Sequence, residues 1–118
     1  MAAKSTIKVK NLYKQSKKND NYIRDIIEKV DEAINLAVHH TQCKTVKLHL
    51  STTTNENTAG KYNLYDEKNL WYKVEYCIPF QLDRNKVLES IKNYYIDYGY
   101  NVDILNHHAL MNIYWQVS

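Results

Sequence analysis

Apolar residues recur at steps of three and four along the first third of the chain, with polar residues between them. The apolar positions are Ile23, Ile26, Ile27, Val30, Ile34, Ala37 and Val38. In an α-helix this spacing places them on one stripe of the surface. Asn19 or Asp20 is a suitable N-cap, because its side-chain oxygen accepts from the free amides of the first turn. The pattern predicts an amphipathic helix that ends between His40 and Gln42.

Apolar and polar residues then alternate with the period of two that is typical of a strand with one buried face. The alternation runs over 44–51 and again over 70–78, where Pro79 ends it by removing a backbone donor. Between these strands lies a polar stretch, 52–69, which is longer than a hairpin turn of ~2–5 residues. We expect either an extended hairpin tip or a binding loop in this stretch.

The second half of the chain repeats the same order of elements. A second helix is predicted after Asp83, which is a plausible N-cap, and Gly99 suits the left-handed residue that follows a helix. Its apolar stripe consists of Val87, Leu88, Ile91, Tyr94, Tyr95 and Tyr98. Two further strands are predicted over 100–104 and 111–117.

Each predicted helix and strand has one apolar face, and packing two helices on one face of an antiparallel sheet buries all of these faces. The predicted fold class is therefore α+β, with the order (β)αββαββ. The optional first strand is residues 6–10, which also alternate. This order is ferredoxin-like or a circular permutation of it. We expect a single domain at 19–118 with a long polar loop at 52–69.

Charge is unevenly distributed along the chain. The net charge is +3, but residues 1–18 contain six lysines and no acid, which leaves 19–118 with a net charge of −3. The lysines of this basic N-terminal arm are Lys4, Lys8, Lys10, Lys14, Lys17 and Lys18. Such an arm can follow the phosphates of a nucleic acid, and it can equally be a solvated tail that keeps the protein soluble.

Composition argues against several classes of protein. Two glycines and one proline are too few for a collagen-like or Pro/Gly-rich chain. The apolar runs are too short to span a membrane, and the N-terminus lacks the apolar region of a signal peptide. Cys43 and Cys77 fall in different elements, as expected for two thiols in a reducing compartment. We expect a cytoplasmic protein with no membrane partner.

No residue pattern typical of catalysis is present. His39, His40 and Cys43 are near one another, but adjacent histidines on a helix point about 100° apart and rarely share a metal. Cys77 has no helix N-terminus beside it to lower the pKa of its thiol. The two glycines form no phosphate-binding loop. We therefore expect a protein that is not an enzyme, with no catalytic residue, no cofactor and no metal.

In the last third of the chain, a helix rich in Leu, Ile and Tyr leads to Gly-Tyr, an alternating strand and a final strand with a Trp. The residues of this pattern are Leu88, Ile91, Tyr95, Gly99, Tyr100, Val102, Ile113 and Trp115. The segment from Asp83 to Val117 resembles small uncharacterised proteins of large tailed bacteriophages. This resemblance implies a phage genome and the host-cell cytoplasm, and it carries no functional residue.

Three functions remain open from the sequence. The first is a non-enzymatic module that binds a host or phage protein through Tyr62, Tyr65 and Trp71. The second is nucleic-acid binding through the basic arm. Trp71 and Tyr114 could also stack bases on the sheet face away from the helices, but Glu75 and Asp103 share that face and the Gly-aromatic signature of RNA-recognition modules is absent. The third is a minor virion or assembly component, a homo-oligomer that self-associates through a sheet edge.

Overall fold

A computed structural model describes residues 14–39, 43–68, 70–105 and 109–115, with the backbone alone for 14–20. Its elements are α1 Lys14–Val38, β1 Thr45–Thr53, β2 Tyr62–Asp66, β3 Tyr72–Pro79, α2 Arg84–Asp97, β4 Asn101–Leu105 and β5 Leu110–Tyr114. The predicted α+β class is confirmed, and the predicted helices and strands occur in the predicted order. The candidate strand at 6–10 lies outside the described residues.

The five strands form one mixed sheet in the order β2-β3-β1-β5-β4. Three of the four pairings are antiparallel, but β1 and β3 are parallel, which corrects the prediction of a purely antiparallel sheet. The reason is β2, a strand inside the stretch that was predicted as one polar loop. The chain reverses direction once before β2 and once after it, so β3 runs in the same direction as β1.

The turn before β2 is held by local hydrogen bonds. The Asn55 carbonyl accepts from the Thr58 amide at 2.9 Å, and the Asn55 side chain accepts from the Asn57 amide at 2.9 Å. Gly60 has a φ of +88°, a left-handed conformation that other residues rarely adopt. Its amide donates to the Cys77 carbonyl at 2.7 Å, so pairing with β3 begins before β2 itself.

Helix α1 begins at Lys14, five residues before the predicted N-cap at Asn19, and ends at Val38. Residues 14–18, which were predicted as the end of the basic arm, are therefore the first residues of α1. Helix α2 begins as predicted after Asp83, whose side chain accepts from the Asn85 amide at 3.0 Å. Gly99 follows this helix with a φ of +93°.

Both helices pack on the same face of the sheet. Alternate side chains along β3 and along the first six residues of β1 are buried there, together with the apolar stripes of α1 and α2, in one hydrophobic core. Fully buried members are Ile26, Val30, Leu48, Leu50, Val74, Ile78, Leu88, Ile91, Met111 and Ile113. The opposite face of the sheet is covered by neither α1 nor α2. Among the described helices, none has the length and apolar character needed to cross a bilayer.

Two buried tyrosines connect α1 to the rest of the molecule. The hydroxyl of Tyr76 on β3 donates to Asp25, and that of Tyr95 on α2 donates to Asp31 Oδ1 at 2.7 Å. Burial, followed by the hydrogen bond to the nearby carboxylate and its charge, raises the pKa of both phenols well above the ordinary value. Both tyrosines are therefore neutral donors at physiological pH.

Candidate functional site

The face of the sheet that neither α1 nor α2 covers, which we call the open face, consists of the side chains that alternate with the buried ones. Strand register aligns them in rows that cross all five strands. One row is Tyr65, Lys73, Lys47, Asn112 and Asp103. The next row is Asn63, Glu75, His49, Leu110 and Leu105. Beyond these two rows, Ser51 pairs with Cys77 on one side, and Thr45 pairs with Tyr114 on the other.

Glu75 is at the centre of a polar cluster on this face. Its Oε1 accepts a hydrogen bond from the Tyr65 hydroxyl at 3.0 Å, and its Oε2 lies 3.4 Å from Lys73 Nζ. The His49 Nδ1 is 3.9 Å from the same Oε2, which is beyond hydrogen-bond distance. Burial acts to raise the pKa of Glu75, but the hydrogen bonds from Tyr65 and Lys73 outweigh it and lower the pKa. Glu75 is therefore an anion at neutral pH.

Aromatic rings on the open face are paired with lysines. Lys47 Nζ lies 4.4 Å from the centroid of the Trp71 ring, and Lys73 Nζ lies 5.9 Å from that of Tyr65. Both distances are within the range of cation–π attraction. Tyr114 completes the aromatic set, and its hydroxyl bonds to the carboxylate of Asp103, which raises the pKa of the phenol. The open face thus combines π surfaces with positive charge.

The structure separates the three aromatic residues that were predicted as one protein-binding patch. Tyr65 and Trp71 lie on the open face. Tyr62 lies on the helix side, where its ring is stacked with Tyr76 at 6.5 Å and Lys29 Nζ lies 4.8 Å from its centroid. The loop around them contains a strand, and side chains of one strand alternate between faces.

Only some of the lysines predicted to bind nucleic acid are among the described residues. Lys14, Lys17 and Lys18 lie in the first turns of α1, where the structure describes the backbone alone. Lys4, Lys8 and Lys10 lie outside the described residues. On the open face itself, the described lysines are Lys47, Lys61 and Lys73. The acids beside them are Glu75 and Asp103, and both accept a hydrogen bond from a tyrosine.

A shallow depression of about 690 Å³ occupies the end of the open face next to β2. Its lining includes Glu75 and His49 from the central cluster, and Asn63, Ser51 and Cys77 from the neighbouring positions. Most of these side chains are polar. The depression is within the range of ~300–1,000 Å³ that small-molecule sites occupy.

Among the described residues, the other candidates for chemistry are not brought together into a metal-binding group. Cys43 is buried, and burial raises the pKa of its thiol, whereas Cys77 is half-buried on the open face. Of the residues considered for metal binding, His39 is exposed and His40 lies outside the described residues. Within the described ranges, no three His, Cys, Asp or Glu side chains are grouped so as to hold a metal ion.

The position of Trp71 and Tyr114 away from the helices is predictable from the sequence, because strand alternation fixes the face of each residue. The contact of Tyr65 with Glu75 is not predictable in this way, since that contact depends on the register between β2 and β3. Comparison of the chain with protein-family models, with curated proteins and with solved structures found no match. The geometry of the open face therefore stands alone as the guide to function.

Proposed function

We propose that this protein is a non-enzymatic binding module that binds single-stranded nucleic acid on the open face of its sheet. The observation that carries this proposal is the pairing of Trp71 and Tyr65 with Lys47 and Lys73 on a sheet face that neither helix covers. Every base has a π face and can stack on an aromatic side chain, and lysines beside the rings can contact the phosphates.

The extent of the aromatic set supports contact with more than one base. Tyr65 is on β2 and Tyr114 is on β5, and two other strands separate them. Because neighbouring strands are about 4.8 Å apart, the two residues are separated by roughly 14 Å across the sheet. Sheets of RNA-recognition modules stack two or three bases on their aromatic residues. We expect a footprint of similar size here.

A protein partner, the first of the functions open from the sequence, has less support. Protein interfaces are depleted of charged residues at their centre. The centre of the open face holds Glu75, Lys73 and His49, and its aliphatic residues, Leu105 and Leu110, lie toward one side. Tyr62 is on the other side of the sheet and does not extend the aromatic surface.

The test is fluorescence anisotropy with labelled single-stranded RNA and DNA oligonucleotides of mixed sequence at low salt. Tyr65→Ala removes an open-face ring, and Tyr62→Ala is a matched control on the same strand, since both side chains are 42% exposed. Loss of one stacked base corresponds to ~1–3 kcal/mol, so Tyr65→Ala should weaken binding about 5-fold or more. Tyr62→Ala changes a residue at the rim of the depression but removes no open-face ring, so it should weaken binding less than Tyr65→Ala does.

Two outcomes would contradict the proposal. The first is no binding of any oligonucleotide at low salt. The second is equal binding by the Tyr65 and Tyr62 variants combined with loss of binding when residues 1–13 are deleted, which would assign the activity to the basic arm alone. In either case a protein partner, sought by cross-linking in cell lysate, becomes the first alternative.

A further inference from the structure

The depression beside β2 lies next to the aromatic set, and its lining combines polar residues with Tyr62 and Tyr76. Glu75, Asn63 and Ser51 contribute polar groups, and none of these side chains offers a stacking surface as large as Trp71. Polar groups placed in such a site can recognise the hydrogen-bonding edge of a ligand and fix its orientation. Its volume of about 690 Å³ has room for one nucleobase with its sugar.

Glu75 is the carboxylate of this depression, and it retains unused acceptor capacity. A carboxylate offers about four lone-pair positions. The Tyr65 hydroxyl occupies one on Oε1 and Lys73 Nζ approaches Oε2, so about two positions remain. The side chain is 34% exposed, so a ligand can reach these positions. Two partners also fix the carboxylate in place, which reduces the entropy lost on binding.

The chemistry of a fixed carboxylate selects one base. Guanine presents two adjacent donors, N1–H and the N2 amino group, which match the two oxygens of a carboxylate. Uracil and thymine flank their single N–H with two carbonyl oxygens, and these repel an anion. Adenine and cytosine place an acceptor nitrogen beside their amino group, so they offer one hydrogen bond and one repulsion.

We infer that this depression is a guanine-binding subsite in which the Glu75 carboxylate accepts hydrogen bonds from N1–H and N2–H of the base, an inference that rests on the proposed binding of nucleic acid. Lys73 lies 3.4 Å from Glu75 and compensates its negative charge, which would otherwise repel the phosphates of a bound nucleic acid. A guanine within a strand and a free guanine nucleotide offer the same edge, so the experiment must separate them.

The experiment measures the affinity of the wild-type protein for uridine oligonucleotides that carry one central guanosine, adenosine, cytidine or uridine. A good bidentate contact discriminates against the wrong base by about 5- to 100-fold, and we expect the guanosine oligonucleotide to bind tighter by a factor in that range. Inosine lacks the N2 amino group and should fall between guanosine and adenosine. Replacing guanosine with 7-deazaguanosine, which keeps both donors, should change nothing.

Glu75→Gln should abolish the preference for guanosine while leaving binding to the uridine oligonucleotide within about 3-fold of the wild type. Asp103→Asn is the matched control, because it also removes one carboxylate from the open face but does so at the opposite edge. It should keep the preference. Circular dichroism and thermal unfolding of both variants verify that they are folded.

The outcomes separate the two proposals. If oligonucleotides bind but the four central bases are equivalent, or if Glu75→Gln keeps the preference, the guanine subsite is overturned and the proposed function stands. If no oligonucleotide binds but guanosine monophosphate binds in a Glu75-dependent manner, the proposed function fails and the depression is a site for free nucleotides. If neither ligand binds, both proposals fail.

Discussion

At the residue scale, two side chains connect elements through hydrogen bonds as well as through apolar contacts. Tyr76 and Tyr95 bring hydroxyl groups into the interior, where each donates to a carboxylate of α1. A hydrogen bond to a charged group contributes about 1.5–3 kcal/mol, more than a neutral one. These two bonds therefore determine how α1 lies on β3 and against α2, in addition to the apolar core.

The two tyrosines predict a loss of stability at alkaline pH. Their pKa values are raised in the folded state above the ordinary value near 10, so their contribution is fully present below about pH 10 and is lost as the pH rises above it. The urea midpoint of unfolding should be flat between about pH 7 and 9 and should fall above about pH 10.

Tyr95→Phe removes the titrating hydroxyl and should make this alkaline decline shallower. It should also lower the free energy of unfolding at neutral pH by about 1–2 kcal/mol, because the hydrogen bond to Asp31 is lost. Tyr98→Phe is the control, because Tyr98 is 68% exposed and forms no bridge to α1 in the described part of the chain. A decline that is equally steep in both variants would show that other groups cause it.

Thiol reactivity provides a second prediction at this scale. Cys43 is 1% exposed and burial raises the pKa of its thiol, whereas Cys77 is half-buried on the open face. Thiolate reagents need access and deprotonation. In the native protein, a disulfide reagent should label Cys77 first, and Cys43 should react only after urea is added. Rapid labelling of Cys77→Ser would contradict the burial of Cys43.

At the scale of elements, the capped helix α2 shows what local sequence determines. Asp83 occupies the predicted N-cap and accepts from the amides of Asn85 and Lys86 at 3.0 and 3.4 Å. Asp83→Ala should lower the free energy of unfolding by about 1 kcal/mol, measured by urea titration. Asp83→Asn keeps the acceptor and should recover most of the loss. If both variants are equally destabilised, the cap contributes little and the loss has another cause.

Strand β2 shows where local sequence is insufficient. Of its five residues, Leu64 alone packs against the core as an aliphatic side chain, so the segment has no clear alternation. Its order arises from backbone pairing with β3, a partner that hydrophobic periodicity does not identify. The two helices and the other four described strands have strong periodicity and were predicted for that reason.

The candidate site could likewise be predicted from the sequence only in part. The face of Trp71 and Tyr114 follows from alternation within one strand and was accessible from the sequence. The cluster of Tyr65, Lys73 and Glu75 depends on which residues of β2 and β3 lie side by side. The depression also depends on the turn at Gly60, whose geometry arises from contacts with β3.

At the scale of the whole molecule, the described residues form two layers, with α1 and α2 on one face of the sheet and neither helix on the other. Adjacent residues of β1 therefore have opposite roles, since Leu48 is fully buried and Lys47 is on the open face. Leu48→Ala should lower the free energy of unfolding by about 2–5 kcal/mol. Lys47→Ala should change it by less than about 1 kcal/mol and should weaken binding of single-stranded RNA.

Thermal unfolding and oligonucleotide titration on the same two variants check this division. A Lys47→Ala protein as unstable as Leu48→Ala would show that the open face contributes to the core. A Lys47→Ala protein with unchanged affinity for RNA at low salt would remove Lys47 from the proposed contact.

The uncovered sheet face has a consequence for the evolution of the protein. Because the core lies on the other face, we expect substitutions on the open face to change stability less than core substitutions do, so selection there acts mainly on what the molecule recognises. Relatives would then keep the interior while this surface drifts toward new ligands. A display library randomised at these positions alone should yield mostly folded members, which makes the chain a practical scaffold for selecting new binders.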